Sequence, residues 1–96
     1  MKNLTLRNLT EVCNGIWHGD DALLDREISA ITTDSRKIEK DCLFVPIVGE
    51  RVDAHRFIPD VMAKGALVTL SERELSDADY PYIQITSSLQ AVKDIA

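Results

Sequence analysis

The sequence predicts an α/β fold: a small mixed β-sheet packed with helices. Three observations support this. The chain has 96 residues, enough for one hydrophobic core and no second. Its hydrophobic fraction is 45 % and its charged fraction 28 %, which is typical of a globular protein and not of a disordered one. In the second half, strand-like apolar runs alternate with segments of helical periodicity, an order that favours a sheet covered by helices.

Three segments carry apolar residues at helical spacing. They are residues 5–14, a segment opened by Asp53 or a neighbour and ended by Gly65, and a last segment capped by Ser87 or Ser88. After the first, Gly15 is the expected left-handed stop. Pro59 fits the second only in its first turn. The third places its apolar stripe on Leu89, Val92 and Ile95.

Five further runs are apolar or β-branched and are predicted to be extended. They are residues 16–19, 28–33, 43–48, 66–70 and 82–85. Pro46 cannot donate to a β-ladder, so it is expected at a strand end or an unpaired position. Residues 71–79 are predicted to form an acidic, exposed connection. The last helix reaches residue 96 without a cap, so we expect the chain to be a piece of a longer protein.

Charge and hydropathy exclude several classes of function. The net charge is −5 and the isoelectric point is near 4.8, whereas a nucleic-acid binder needs a basic face. No apolar run approaches the roughly 18 residues of a membrane span. The first five residues lack the unbroken apolar stretch of a signal peptide. We therefore expect a cytoplasmic protein with neither a nucleic-acid nor a membrane partner.

The chain carries no recognisable catalytic or metal-binding motif. Cys13 and Cys42 have aliphatic neighbours and form no CxxC, and His18 and His55 are scattered. We expect two reduced, partly buried thiols and no metal site. The glycines are too dispersed for a phosphate-binding loop, and GxxxxGK[ST], GxGxxG, HExxH and GxSxG are absent. We expect no catalytic residue in this chain and no cofactor bound by it.

A first polar cluster, residues 32–37, follows a predicted strand directly. Thr33 and Ser35 can donate and accept hydrogen bonds, and Arg36 can pair with a phosphate. Ligands favour this edge of an α/β sheet. An ordinary solvated turn is the alternative, and residue chemistry alone favours it.

A second cluster, residues 49–55, lies between a predicted strand and a helix. Gly49 permits close backbone approach, and N–H groups at the helix start can hold an anion or a base edge. Asp53 has the simpler alternative of capping the helix. His55 has no nucleophile or paired carboxylate beside it, so a structural or substrate contact is favoured over catalysis. Without further information, these clusters predict a binding domain of unknown ligand.

Three segments, in order, resemble the N-terminal domain of the Mur ligases. They are AITTDSRKI at residues 30–38, CLFVPIVGERVDAHRFI at residues 42–58 and KGA at residues 64–66. The family run is approximately TDSRKVxPGDLFVAxxGxxxDGHxFIxxAxxxGA. The resemblance implies the fold of that domain across residues 1–96, which binds the uridine diphosphate end of a UDP-N-acetylmuramoyl peptide. It also implies ATP and magnesium on a central domain with a GxxGKT loop, and a C-terminal domain in cis.

The resemblance also implies roles for single residues. Thr33 and Ser35, beside Arg36, fall where the diaminopimelate-adding members of the family contact the uridine part. The loop that contacts the uracil from the other side corresponds to Glu50, Arg51 and Val52, and the family's D-G-H, which shapes that loop, corresponds to Asp53 and His55.

The sequence departs from the family run at two positions. Asp41 must adopt the conformation of a glycine, and Ala54 replaces the glycine of D-G-H, where a positive φ would be costly.

Short segments favour one type of family member. The sequences of residues 49–51, of the opening helix and of residues 89–96 look most like those of a ligase that adds D-alanyl-D-alanine to UDP-N-acetylmuramoyl-tripeptide. The diaminopimelate- or lysine-adding type is the first alternative. A free-standing interaction module, with residues 71–79 as its interface, is the second.

Overall fold

The computed structural model describes residues 4–75 and 78–95 of the chain. Within them, eight α-helices and β-strands follow in the order α1 Leu6–Val12, β1 Ile16–His18, β2 Ile31–Thr32, β3 Leu43–Phe44, α2 Ile58–Ala63, β4 Val68–Ser71, β5 Tyr82–Gln84 and α3 Ser88–Ile95. The strands form one five-stranded mixed sheet in the order β1-β5-β4-β3-β2. The predicted α/β class, a mixed sheet packed with helices, is confirmed.

The sheet is parallel except at one edge. β2, β3, β4 and β5 pair in parallel, and β1 pairs with β5 antiparallel, with Trp17 opposite Ile83. The register places Thr32 opposite Phe44 and Phe44 opposite Thr69. The carboxyl ends of the four parallel strands therefore meet along one side, which we call the carboxyl edge.

Alternate side chains of the sheet build two cores. Leu43 points into a cluster with residues of α1 and α3, whereas its neighbour Phe44 packs with Ile58 and Val61 of α2. Since successive strand residues face opposite sides, the sheet lies between α1 and α3 on one face and α2 on the other. This three-layer packing fixes the strands whose ends carry the predicted clusters.

The first helix ends two residues earlier than predicted. Thr5 caps its start, since its Oγ1 accepts a hydrogen bond from the Asn8 N–H at 3.1 Å. The left-handed residue at its end is Asn14, with φ 55°, and not Gly15. Gly15 is instead required for space, because a Cβ there would lie 2.6 Å from Ile83 Cγ2. The glycine serves close approach to β5 and not chain reversal.

All five strands are shorter than the extended runs that predicted them. β2 covers two residues of the predicted 28–33, because the Ile28 and Ser29 N–H groups donate to Leu4 and Asp41 outside the ladder. β3 covers two residues of the predicted 43–48. Pro46 lies outside the strand, as predicted, although its side chain is fully buried.

The second and third helices show one further difference from prediction. Asp53 caps a short 3-10 helix at Ala54–Phe57, which runs into α2, and Pro59 lies in the first turn of α2. Ser87 caps α3 by accepting a hydrogen bond from the Gln90 N–H. Leu89, predicted in the apolar stripe, is 60 % exposed, because α3 turns Ser88 and Ala91 inward instead.

The two departures from the family run are accommodated. Asp41 adopts φ 65°, the left-handed conformation predicted for it. Ala54 begins the 3-10 helix and is not among the described residues with positive φ. Across residues 4–75 and 78–95, no helix is long and apolar enough to cross a membrane.

Candidate functional site

Both predicted clusters lie at the carboxyl edge. The first loop, residues 33–37, follows β2 directly, and the second loop, residues 48–53, follows β3 after a short extended piece. Because β2 and β3 are neighbouring parallel strands, the two loops emerge side by side. The structure therefore brings the two predicted segments to one rim of the sheet.

The first loop is a tight turn built on Asp34. Its N–H donates to Thr32 Oγ1 at 3.1 Å, and its carbonyl accepts from the Lys37 N–H at 3.0 Å. Its carboxylate accepts the Arg36 N–H at 2.9 Å, Nε at 3.1 Å and Nη2 at 3.2 Å. These bonds from Arg36 hold the pKa of Asp34 below its usual value. The Arg36 guanidinium, predicted to meet a phosphate, is thus turned towards its own loop.

Two hydroxyl groups of the first loop are free to bind a ligand. Thr33 is exposed and Ser35 is half-buried, and neither side chain has a hydrogen-bond partner among the described residues. The Ser35 carbonyl accepts from Lys64 Nζ at 3.4 Å, and Lys64 also pairs with Asp60 at 3.1 Å. The turn is therefore held through its main chain, which leaves both hydroxyls available.

The second loop is a small hairpin. Val48 pairs with Asp53 in an antiparallel bridge, and the Gly49 N–H donates to the Val52 carbonyl at 2.9 Å. This closure places Glu50 and Arg51 at an exposed tip. Val52 is 46 % exposed, although it is apolar. In the described part of the chain the two charged side chains make no hydrogen bond or ion pair.

The Asp53 carboxylate is the anchor of the second loop. Its Oδ1 accepts the His55 N–H at 2.9 Å and the His55 Nδ1–H at 2.7 Å, and its Oδ2 accepts from Arg73 Nη2. The hydrogen bond from the His55 main chain, followed by that from Arg73, holds the pKa of Asp53 well below its usual value. Asp53 is therefore a charged acceptor that ties three groups together.

His55 lies beneath the loop and not on its surface. Its side chain is 2 % exposed. Nε2 accepts a hydrogen bond from the Glu72 N–H at 2.8 Å, so the ring proton is assigned to Nδ1, which donates to Asp53. Both ring nitrogens are engaged within the protein. The geometry gives His55 a supporting position, from which it shapes the loop that a ligand would meet.

Sequence reasoning missed two residues of this edge, Glu72 and Arg73. They follow β4, inside the segment predicted to be an acidic, exposed connection. Ser71, the first residue of that segment, belongs to β4 and is fully buried. The Glu72 carboxylate accepts the Ser88 N–H at 2.8 Å. The sequence does contain a signal for their place at this edge, since both residues come directly after a predicted strand. Ser76 and Asp77 of the same segment lie outside the described residues.

The candidate site is an open rim and not an enclosed pocket. Cavities of about 430, 420 and 450 Å³ lie elsewhere, and residues 33–36 and 49–55 line none of these three. In the described ranges, no three His, Cys, Asp or Glu side chains are grouped so that they could hold a metal ion. Cys13 and Cys42 are free thiols, and burial raises the pKa of Cys13 to about 11.

Comparison with known proteins gives a consistent result. A family model described as "Mur ligase family, catalytic domain" matches residues 27–96. The chain is 41 % identical over all 96 residues to UDP-N-acetylmuramoyl-tripeptide--D-alanyl-D-alanine ligase of Escherichia coli (strain K12), of which it covers 20 %. It is also 41 % identical over 75 residues to UDP-N-acetylmuramoyl-L-alanyl-D-glutamate--2,6-diaminopimelate ligase of Cytophaga hutchinsonii, and that match spans 75 % of this chain and 15 % of the relative.

Solved structures agree with the sequence relatives. A crystal structure of MurF from Acinetobacter baumannii superposes with a TM-score of 0.84 at 34 % identity, over 95 % of this chain and 20 % of that one. A MurF ligase from Thermotoga maritima in complex with ADP matches with a TM-score of 0.58 at 25 % identity, over 66 % of this chain and 14 % of its own. The chain thus spans about a fifth of the length of the first of these relatives.

Proposed function

The chain belongs to the Mur ligase family, and from this premise we propose that it binds the uridine diphosphate end of UDP-N-acetylmuramoyl-tripeptide. The whole protein would be a cytoplasmic, ATP-dependent ligase that adds D-alanyl-D-alanine in peptidoglycan precursor synthesis. One observation carries the proposal: two loops with unpaired polar side chains emerge side by side from neighbouring parallel strands. Such an edge is where α/β sheets bind ligands.

Each loop offers a different kind of contact. The hydroxyls of Thr33 and Ser35 can donate to or accept from a uracil edge or a ribose hydroxyl. On the second loop, the exposed Val52 gives an apolar surface to a base, with Glu50 and Arg51 beside it. In this proposal Asp53 and His55 hold the second loop, and Arg36 holds the first, instead of contacting the ligand themselves.

The D-alanyl-D-alanine-adding type is favoured by the extent of the match. The relative of that type from Escherichia coli aligns with all 96 residues, including α1 and β1. The diaminopimelate-adding relative from Cytophaga hutchinsonii aligns with 75 residues at the same identity. We therefore keep the diaminopimelate- or lysine-adding type as the alternative.

Binding the nucleotide end contributes to catalysis from a distance. Contacts remote from the reacting carboxylate supply binding energy that positions it for attack by the amine of D-alanyl-D-alanine. ATP with magnesium, when bound, would activate that carboxylate as an acyl phosphate. The residues described in this chain offer no carboxylate cluster for the metal, so we propose that other domains in cis hold both. This chain's part is to bind and orient.

Titration of the ¹⁵N-labelled chain with UDP tests the proposal. We expect chemical-shift changes at residues 33–36 and 49–53 with millimolar UDP, and smaller ones with ADP. Ser35→Ala should weaken UDP binding about two- to fivefold, the loss of one exposed hydrogen bond. Ser29→Ala, which removes a hydroxyl at the other end of β2, is the matched control and should have no effect. Shifts confined to other residues would contradict the proposal.

A further inference from the structure

The connection after β4 holds the second loop through two adjacent contacts. The Glu72 N–H donates to His55 Nε2 at 2.8 Å, and Arg73 Nη2 donates to Asp53 Oδ2. Asp53 and His55 are joined to each other through Oδ1 and Nδ1. We call these four residues the clamp. The clamp contacts the base of the second loop, next to the bridge between Val48 and Asp53, and not the exposed tip of that loop.

Arg73 is itself held in position. The buried Ser71 hydroxyl accepts the Arg73 N–H at 3.0 Å and donates to the Arg73 carbonyl at 2.6 Å. The neighbouring Glu72 carboxylate is fixed by the N–H of Ser88 at the start of α3. The main chain that carries the Arg73 guanidinium is therefore fixed. This lowers the conformational entropy that Arg73 loses when it binds Asp53.

The other cations near this edge are engaged differently. Arg36 forms its ion pair within the first loop, with Asp34. Lys64 pairs with Asp60 along α2. Arg51 lies at the exposed tip and has no ion pair in the described part of the chain. Arg73 is the cation that joins the second loop to the connection of another strand.

We propose that Arg73 is a positioning residue of the candidate site, acting through Asp53. By holding the Asp53 carboxylate, it keeps the second loop in the turn that presents Glu50, Arg51 and Val52. A ligand would then meet a preformed loop and would not have to order it. The ligand named here rests on the proposed function, whereas the positioning itself is a property of the free protein.

A double-mutant cycle separates action through Asp53 from a direct contact with ligand. The variants are Arg73→Gln, Asp53→Asn and the pair together. Two quantities are measured for each: hydrogen exchange of the Gly49 amide in the free chain, and the UDP dissociation constant by NMR titration. Arg73→Gln should speed exchange and weaken UDP about two- to fivefold, the range of a partly exposed ion pair. The double variant should match Asp53→Asn alone.

Two further variants complete the design. Arg73→Lys keeps the charge and should recover part of both losses, which a role in packing alone would not predict. Arg7→Gln removes the ion pair of a similarly exposed arginine, with Asp25, and should change neither quantity.

Three results decide between the possibilities. Unchanged Gly49 exchange in Arg73→Gln would overturn the inference. Additive losses in the double variant would also overturn it, because Arg73 would then act independently of Asp53. If the wild-type chain fails to bind UDP, the proposed function fails, and Gly49 exchange still decides the positioning role.

Discussion

At the scale of single residues, the Asp53 carboxylate is the group on which the second loop depends. It accepts hydrogen bonds from the main chain and ring of His55 and from Arg73. These donors favour its charged form, so they lower its pKa in the folded protein. In the unfolded chain the same carboxyl has the ordinary pKa of about 3.9. The contribution of Asp53 to stability therefore depends on pH.

The sign of this dependence follows from the lowered pKa. Stabilisation by Asp53 is fully present above pH about 4 and is lost as the pH falls towards the lower folded-state pKa. We expect Asp53→Asn to lower the free energy of unfolding by about 1 kcal/mol at pH 7, through loss of charge-assisted hydrogen bonds. The difference in the free energy of unfolding between wild type and Asp53→Asn should be smaller at pH 3. Urea unfolding at the two pH values measures it.

The matched control for this prediction is Asp25→Asn. It changes the net charge equally at a side chain that is 84 % exposed and pairs with Arg7. We expect little effect on stability, because exposed ion pairs contribute about 0–1 kcal/mol. A wild-type advantage over Asp53→Asn that stays constant from pH 7 to pH 3 would contradict the account of Asp53.

The residue scale also shows what sequence could not supply about the site. The sequence placed each of the two clusters of predicted site residues after a predicted strand, and the pairing of β2 with β3 brings them to one edge. What each side chain does there did not follow, because it depends on partners brought from elsewhere. Arg36 turns to Asp34, and His55 is covered by the connection after β4. These contacts depend on three-dimensional packing.

At the scale of elements, apolar patterns predicted the existence of helices and strands better than their lengths. The run at 43–48 is apolar throughout, yet only Leu43–Phe44 pairs on both sides. Burial and pairing differ here, since Val45 and Pro46 are buried beyond the end of the ladder. Hydrophobicity reports burial, whereas strand length also depends on where neighbouring main chains continue.

The joint between α1 and β1 gives a prediction at this scale. Gly15→Ala would place a Cβ 2.6 Å from Ile83 Cγ2 and 2.9 Å from the Gln84 carbonyl oxygen. Because β5 is a buried strand, it cannot move aside cheaply. We expect a loss of about 1–3 kcal/mol in the free energy of unfolding, as for other overpacked sites. Urea denaturation measures it.

A change one residue earlier serves as the comparison. Asn14 is exposed and has φ 55°, a conformation that glycine adopts without strain. Asn14→Gly should therefore alter the free energy of unfolding by less than about 0.5 kcal/mol. Equal effects of the two changes would show that Gly15 is not a packing requirement.

At the scale of the whole molecule, the sheet determines which parts of the chain can share a site. Four parallel strands end at the carboxyl edge, and the segments after β2, β3 and β4 contribute to it. They are the first loop, the second loop and the connection with Glu72 and Arg73. The class of sheet was predictable from the sequence. The order β1-β5-β4-β3-β2 was not, because local patterns do not specify which strands pair. That β4 lies beside β3 was therefore not predicted, although Glu72 and Arg73 come directly after a predicted strand.

This arrangement leads to a prediction about selectivity. If the carboxyl edge binds the nucleotide end, the peptide of UDP-N-acetylmuramoyl-tripeptide extends away from the contacts proposed here. The 96-residue chain should then bind UDP, the dipeptide precursor and the tripeptide precursor with dissociation constants within about threefold of one another. The reason is that the uridine diphosphate group, which all three share, supplies the affinity. Isothermal titration calorimetry or NMR titration of the three compounds measures this.

Comparing the three affinities also shows whether this chain distinguishes the dipeptide precursor from the tripeptide precursor, the substrates of the two ligase types. Equal affinities would mean that discrimination between dipeptide and tripeptide is made outside this chain, by groups that touch the peptide. A tripeptide precursor bound more than tenfold tighter than UDP would require at least 1.4 kcal/mol of contact with its sugar or peptide within residues 1–96. Chemical shifts moved by the tripeptide and not by UDP would then identify those contacts, and the binding surface would have to extend beyond the two loops.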